Sequence, residues 1–232
     1  MSENIKKITK AFVVDSDSRE NQNIILKPST RPFNNQAHQV NEVVEKIAEL
    51  IKDAKHPNDD IILNHNKIKE AFFSPFKPQL KNAQVFLSHS HADKNKALKV
   101  KNYLESKTNH RVFIDSLFWD YKDDVLNELE KYDNTSKIED AFTLILRESL
   151  QDMIEKYPYF VFLQSNNSVS NQGLSCITYS AWIYEELKIA HSIRESRPTP
   201  MMESWQVSHN ISPFLESLET ITLSKLSHII NS

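Results

Sequence analysis

The sequence predicts an α/β fold in which an open parallel sheet carries helices on both faces. Short apolar runs alternate with longer segments of helical spacing over residues 81–232, and this alternation is typical of parallel sheets. The run at 159–164, YFVFLQ, is apolar on both of its alternating sides, as expected for a strand in the middle of such a sheet. We therefore assign residues 81–232 to the α/β domain and residues 1–80 to a mainly helical N-terminal extension.

Composition and charge exclude several function classes. The chain has 232 residues, 39% hydrophobic and 25% charged, with a formal net charge of −3, which are the proportions of an ordinary globular protein. The lack of a basic excess argues against a nucleic-acid partner. No apolar run approaches the ~18 residues that span a membrane. The single cysteine, Cys176, excludes an internal disulfide, so the expected location is a reducing cytoplasm.

Glycine is nearly missing from the chain. Gly173 is the single glycine, where average usage of ~7% would give about 16. Phosphate-binding loops of the P-loop and dinucleotide types need several glycines, because the backbone must approach the phosphates closely. If the protein binds a nucleotide, it does so by another geometry.

The extension contains two predicted helices and an undecided first part. Residues 1–34 are polar, and their short apolar runs at 11–14 and 24–26 are either two short strands or poorly ordered. Helical spacing then predicts one helix over residues 40–54 and a second, capped by Asp59 or Asp60, that continues through Phe72.

The α/β domain is predicted to alternate strands and helices along its whole length. Strands are predicted at 84–88 (QVFLS), 111–115 (RVFID), 159–164 (YFVFLQ) and 220–223. Helices are predicted at 93–107, 121–131, 136–156 and, with Ser180 as cap, from there to about residue 193. Ligands of such sheets bind beyond the carboxyl ends of the strands. Three loops are therefore candidates for a binding site: 88–93, 115–118, and the loop from Gln164 onward.

A carboxylate in the helix after the third strand is the strongest candidate for chemistry. At ~100° per residue, Glu186 lies near the middle of an arc formed by Trp182, Ile183, Leu187 and other apolar residues. A carboxylate among core-facing side chains costs several kcal/mol unless it is paired, protonated or facing a cleft. The alternative is that Glu186 lies in a solvent-exposed first turn of the helix, where a negative charge interacts favourably with the helix dipole.

Four short motifs in this order resemble a bacterial Toll/interleukin-1 receptor (TIR) domain. They are VFLSHSHAD with Ser88 and Asp93, RVFID ending at Asp115, YFVFLQS, and a tryptophan followed four residues later by a glutamate, Trp182 and Glu186. The resemblance covers about residues 82–232. It departs from the family in the loop SLFWDYKDD, which has no glycine or proline, and in the helix 136–156, which is an insertion relative to compact TIR domains.

The resemblance implies a flavodoxin-like fold and an activity on NAD⁺. Many bacterial TIR domains cleave the nicotinamide–ribose bond, and some convert the ADP-ribose product into a signal. It implies that Glu186 is the catalytic residue, and that NAD⁺ is the substrate with no further cofactor and no metal. The residues expected to shape the substrate pocket are Ser88, His89, Phe118, Trp119, Ser165 and Trp182.

The resemblance also implies partners and a setting. Activity in this family usually needs assembly, so a homo-oligomer is expected. The expected setting is antiviral defence of the Thoeris kind, in which the product activates a separate effector protein.

Two other readings stay open from the sequence. His89, His91 and Asp93 after an apolar strand resemble the metal-binding motif of the metallo-β-lactamase superfamily, and such side chains are sound ligands for zinc or iron. That family continues with a histidine where this chain has Lys94. The third reading is a TIR module without catalysis, which only associates with itself or with partners.

Overall fold

A computed structural model describes residues 10–27, 40–53, 65–74, 81–114, 116–130, 136–172, 175–192 and 209–232. Its strands are β1 Lys10–Asp15, β2 Ala83–His89, β3 Arg111–Ile114, β4 Tyr159–Gln164, β5 Ser170–Gln172, β6 Ser175–Thr178, β7 His209–Asn210 and β8 Glu219–Thr220. Its helices are α1 Arg19–Ile25, α2 Val40–Asp53, α3 His65–Phe73, α4 Lys94–Lys107, α5 Ser116–Leu129, α6 Ser136–Lys156, α7 Ala181–Ser192, α8 Ser212–Ser217 and α9 Leu223–Asn231.

The main sheet is parallel throughout and has five strands in the order β3–β2–β4–β1–β8. This confirms an α/β protein with an open parallel sheet. Strand β4 is central, as its two-sided apolar character predicted, and Phe160 through Leu163 are fully buried. Phe86 of β2 is paired in register with Phe113 of β3 and Phe160 of β4, with ring centroids 5.8 Å away on each side. These cross-strand ring contacts help to fix the register.

Strand β1 was not expected in the sheet. The assignment of residues 1–80 to an extension is wrong for residues 10–15, which pair with β4 along their whole length and with β8 on the other side. The run AFVV is buried on both sides of the strand, as in any inner strand of a parallel sheet. The sheet is therefore completed by a segment that precedes the α/β domain assigned from the sequence.

The strand order defines where a ligand site is expected. The chain passes from β2 to β3 on one side of β2 and then crosses to β4 on the other side. The order therefore reverses between β2 and β4, which is the topological switch point at which α/β sheets bind ligands. Helices α4 and α7 both pack against β2. Strand β2 at the switch point is therefore in contact with two helices as well as with its neighbouring strands.

The chain divides into two compact units. The first contains 1–33, 83–116 and 151–232, and the second contains 34–82 and 117–150. In the second unit, the helix predicted over 40–54 is confirmed as α2, and the ring of Phe72 lies 5.1 Å from Tyr121 and 5.0 Å from Phe142. These buried rings give the second unit an aromatic core of its own.

Two local predictions differ from the structure. Helix α5 begins at Ser116, five residues before the predicted start, so the candidate loop 115–118 is helical from its second residue. The loop predicted from Gln164 onward contains a separate three-stranded antiparallel sheet, β5–β6–β7, with Cys176 in β6. Sequence periodicity did not show these strands because each has only two to four residues.

Candidate functional site

The predicted site residues of β2 and β4 meet at the switch point. Ser88 and His89 are the last two residues of β2 and pair with Phe162 and Leu163 of β4. Ser165 follows directly after β4. All three predicted residues are buried. The carboxyl ends of these two strands therefore place Ser88, His89 and Ser165 at one edge of the sheet, as the sequence predicted.

Helix α7 places Glu186 against the same edge. The helix begins after Ser180, whose hydroxyl oxygen accepts a hydrogen bond from the backbone N–H of Ile183 at 3.3 Å, which confirms the predicted cap. Glu186 is 0% exposed, and Ser88, also 0% exposed, donates its hydroxyl hydrogen to Oε2 of Glu186. The alternative in which Glu186 lies on a wet turn is therefore wrong.

The neighbouring glutamate is arranged differently. Glu185 is 7% exposed, and its Oε2 lies 4.0 Å from Nζ of Lys188, one helical turn further along α7. The charge of Glu185 thus has a cation on its own helix. A buried carboxylate beside a strand end can accept hydrogen bonds from hydroxyl groups and can stabilise a positive charge that develops next to it. Of the two glutamates, Glu186 is the one that accepts a hydrogen bond from a residue at the end of a sheet strand.

A second carboxylate, Asp93, is buried at this edge. It lies at the start of α4, and its Oδ2 accepts the hydroxyl hydrogen of Ser165. Its Oδ1 accepts a hydrogen bond of 2.9 Å from the side-chain amide of Asn167 and lies 3.3 Å from Nζ of Lys96. Asp93 therefore holds the turn after β4, and its charge is balanced by an ammonium group.

The turn after β1 contributes a third carboxylate, that of Asp17, to the same network. Nζ of Lys96 donates to Oδ1 of Asp17 at 2.9 Å, and Oδ2 of Asp17 accepts from the backbone N–H of Asn166 at 3.0 Å. The backbone N–H of Asp17 in turn bonds to the side chain of Asp15, the last residue of β1. This local turn is typical of aspartate and fixes Asp17 relative to the strand.

The ion pair shifts the titration of both of its partners. The hydrogen bond from Lys96 lowers the pKa of the Asp17 carboxyl, and the backbone N–H of Asn166 adds to this, while partial burial acts in the opposite direction. Burial alone would lower the pKa of Lys96, but the hydrogen bond to Asp17 and the charge of Asp93 raise it overall. Both groups are therefore held in their charged forms.

Ser165 is engaged within the protein. Its hydroxyl donates to Asp93 and accepts from the backbone N–H groups of Asn167 at 3.0 Å and Ser168 at 3.2 Å. A serine hydroxyl has one hydrogen to donate and two lone pairs to accept with. As a substrate ligand, Ser165 would have to give up one of these bonds. Its clearest role in the structure is to hold the turn at 165–168.

The aromatic candidates are only partly described. Trp182 lies in the first turn of α7 and is half-buried. Phe118 and Trp119 lie within α5, but their side chains are outside the described part of the chain, and so is Asp115. Their predicted contacts with a substrate stay predictions.

The metal-binding alternative is not supported by the geometry. His89 is buried at the end of β2, whereas His91 is exposed in a short 3₁₀ turn, and both oxygens of Asp93 already have partners. Among the described residues, no three histidine, cysteine, aspartate or glutamate side chains lie together as metal ligands would.

Sequence reasoning missed Asp17, Lys96 and Asn167. The signal for Asp17 was present: the apolar run 11–14 is followed by two aspartates in DSD, as other strand ends of this chain are followed by polar residues. It was missed because that run was not assigned to the sheet. Lys96 lies within the helix predicted at 93–107, and spacing along one helix gives no sign of its two carboxylate partners.

The fold and the site define an α/β protein whose parallel sheet has buried carboxylates at its carboxyl edge. No protein-family model, no curated protein and no solved structure matches this chain. No helix within the described ranges is long and apolar enough to cross a membrane.

Proposed function

We propose that this protein cleaves the nicotinamide–ribose bond of NAD⁺, with Glu186 as the catalytic residue. The observation that carries the proposal is the complete burial of this carboxylate against Ser88, beside the switch point of a parallel sheet. Burying a carboxylate is costly, and such costly groups cluster at functional sites. The motifs that resemble a TIR domain, which include Ser88 and the spacing from Trp182 to Glu186, add support from the sequence.

The chemistry needs one well-placed carboxylate. When the C1′–N bond breaks, its electron pair goes to the ring nitrogen, and the cationic pyridinium leaves as neutral nicotinamide. Positive charge then develops on the ribose, and a carboxylate next to it stabilises this oxocarbenium-like state. Water adds to C1′ and releases a proton, for which Glu186 is the acceptor. Because the leaving group is neutral, no second carboxylate is required as a general acid.

The role of Ser88 follows from its hydrogen bond. Its hydroxyl donates to Oε2 of Glu186 and so orients the carboxylate. A ribose hydroxyl that reaches Glu186 can take the place of this donor. Since Glu186 has no exposed surface in this structure, substrate entry must first uncover it. We propose that assembly of several copies provides this opening, and that the product acts on a separate effector in antiviral defence.

A non-catalytic TIR module is the second candidate, and the same burial favours it. A carboxylate that is fully enclosed and bonded to Ser88 is also what an interaction module would contain, because such a module needs no access to Glu186. The two candidates differ in whether NAD⁺ is consumed.

The test compares wild type with Glu186→Gln and Glu185→Gln. Nicotinamide release and product mass are measured at high protein concentration, with a chelator present, and NAD⁺ is also measured in phage-infected cells that produce each variant. We expect Glu186→Gln to lower the rate by about 100-fold or more. Glu185→Gln, the neighbouring carboxylate on the same helix, should stay within about threefold of wild type.

Either of two results would overturn the proposal. The first is equal activity of wild type and Glu186→Gln. The second is a wild type that consumes no NAD⁺ in either setting, which would favour the interaction module. The product mass distinguishes hydrolysis from cyclisation or conjugation.

A further inference from the structure

The turn after β4 is fixed by hydrogen bonds to residues that follow its two neighbouring strands, β2 and β1. Residues 165–168 follow the central strand, which lies between β2 and β1 in the sheet. On the β2 side, Asp93 accepts from the Ser165 hydroxyl and the Asn167 amide. On the β1 side, Asp17 accepts from the backbone N–H of Asn166 at 3.0 Å.

Lys96 joins the two sides. Its Nζ lies 2.9 Å from Asp17 and 3.3 Å from Asp93, so one ammonium bridges the two carboxylates that hold the turn. Both carboxylates lie within 3.3 Å of the same nitrogen, so they would repel each other without the positive charge of Lys96. Hydrogen bonds to charged groups are about twice as strong as those between neutral groups. The turn is thus fixed by a charged arrangement to which three segments of the chain contribute.

We propose that Lys96 is a positioning residue: through Asp17 and Asp93 it fixes the turn 165–168 as a wall of the substrate site. The turn lies at the carboxyl end of the central strand, beside the switch point. In this turn Asn166 is exposed, and its backbone N–H donates a hydrogen bond to Asp17. The backbone of Asn166 is thus fixed, and its exposed carboxamide has donors and an acceptor for hydroxyl or amide groups of a ligand. The inference that this wall contacts NAD⁺ rests on the proposed function.

The first part of the test needs no activity. Amide hydrogen exchange at Asn166, Asn167 and Ser168 is compared between wild type, Lys96→Met, Lys96→Arg and Lys99→Met, which removes a different lysine from the same helix. We expect Lys96→Met to speed exchange at these amides by about tenfold. Lys96→Arg should restore most of the protection, and Lys99→Met should leave it unchanged. Equal exchange in Lys96→Met and Lys99→Met would overturn the inference.

The second part tests positioning against a merely structural role. For Lys96→Met we expect KM for NAD⁺ to rise about fivefold with kcat within about twofold of wild type, and Lys96→Arg to reverse the change. Faster exchange with KM unchanged would overturn the positioning role. If wild type neither consumes nor binds NAD⁺, the proposed function and the contact with NAD⁺ both fail, while the exchange measurements still decide whether Lys96 fixes the turn.

Discussion

Asp93 and Glu186 are two buried carboxylates at one edge of the same sheet, and the fold accounts for them differently. Asp93 lies at the start of α4, where the helix dipole favours a negative charge, and Lys96 lies 3.3 Å away. Glu186 lies within α7, and the hydrogen bond described for it comes from Ser88, a neutral group. Local structure explains the charge of Asp93, whereas Glu186 lies in the middle of α7, away from the helix ends where the dipole acts.

This comparison separates a residue that stabilises the fold from a candidate for catalysis. A carboxylate that fixes a turn should cost stability when it is removed. A carboxylate kept for chemistry should cost little, because replacing a buried charge by a neutral side chain of the same shape relieves its desolvation. The predictions below test this difference.

The largest effect is expected at Asp93. Asp93→Ala should lower the free energy of unfolding by about 2 to 4 kcal/mol, because it removes the partner of Ser165, Asn167 and Lys96 together. Equilibrium denaturation in urea measures this. Asp123→Ala, at a carboxylate that is 67% exposed, is the control and should change stability by less than about 0.5 kcal/mol. Similar losses in the two variants would contradict the assignment of Asp93.

Ser165 should follow with a smaller loss. Ser165→Ala removes the donor to the Asp93 carboxylate and the acceptor of two backbone N–H groups from a buried turn. We expect a loss of about 1 to 2 kcal/mol in urea denaturation. Ser106→Ala is the matched control, since the Ser106 hydroxyl bonds a helix carbonyl at the protein surface. A loss at Ser165 no larger than that at Ser106 would show that the turn does not depend on this hydroxyl.

The pairing of Asp17 with Lys96 should be visible as a pH dependence. The pKa of Asp17 is lowered in the folded state, chiefly by the hydrogen bond from Lys96. Its contribution to stability is therefore present above its unfolded pKa of 3.8 and is lost as pH falls through the lower folded value. Asp17→Asn should cost about 0.5 to 1 kcal/mol at pH 7, a modest figure because both side chains are partly exposed.

This cost should shrink as the pH is lowered below about 4. The raised pKa of Lys96 keeps the pair intact up to its unfolded pKa of 10.5, and the contribution of Lys96 is lost only as pH rises through its folded value. The measurement is urea denaturation of wild type and Asp17→Asn from pH 7 down to 3. A difference that stays constant over this range would contradict the ion pair.

The smallest change in stability is expected at Glu186. Glu186→Gln should leave the free energy of unfolding unchanged or raise it by up to about 1 kcal/mol, although activity is lost. Thermal and urea denaturation of this variant beside Glu185→Gln provide the measurement. A loss of more than about 2 kcal/mol would place Glu186 with Asp93 among residues that stabilise the fold.

The sequence predicted the elements with strong periodicity, but not the strand that completes the sheet. The runs that became β2 and β3 each stand before a clear helical segment, and the run that became β4 is apolar on both sides. The apolar arc of α7 correctly placed Glu186 on its buried side. Strand β1 is followed by a short helix and a polar stretch. The regular alternation of strands and long helices, by which the other strands were recognised, therefore starts only after β1. β1 takes its position by pairing with β4, and this long-range contact is not visible in any local sequence pattern.

The site residues at strand ends could be predicted only where the strand before them was recognised in the sequence. The rule that ligands bind at strand ends identified Ser88, His89 and Ser165 because their strands were recognised. Lys96 carries the charge of an ordinary surface lysine, and only its distances to two carboxylates, one after β1 and one at the start of α4, give it a role. Such a role depends on tertiary structure and cannot be read from spacing along one helix.

The place of β1 also sets an order of events during synthesis. Its partners in β4 leave the ribosome roughly 150 residues later, and those in β8 roughly 200 residues later. At ~5 to 20 residues per second, β1 waits about 10 to 30 s before β4 is made. During that time the apolar segment AFVV has no sheet to enter. The nascent chain therefore carries an unpaired apolar strand while the residues between β1 and β4 are made, and at this stage association with chaperones or with other nascent chains competes with folding.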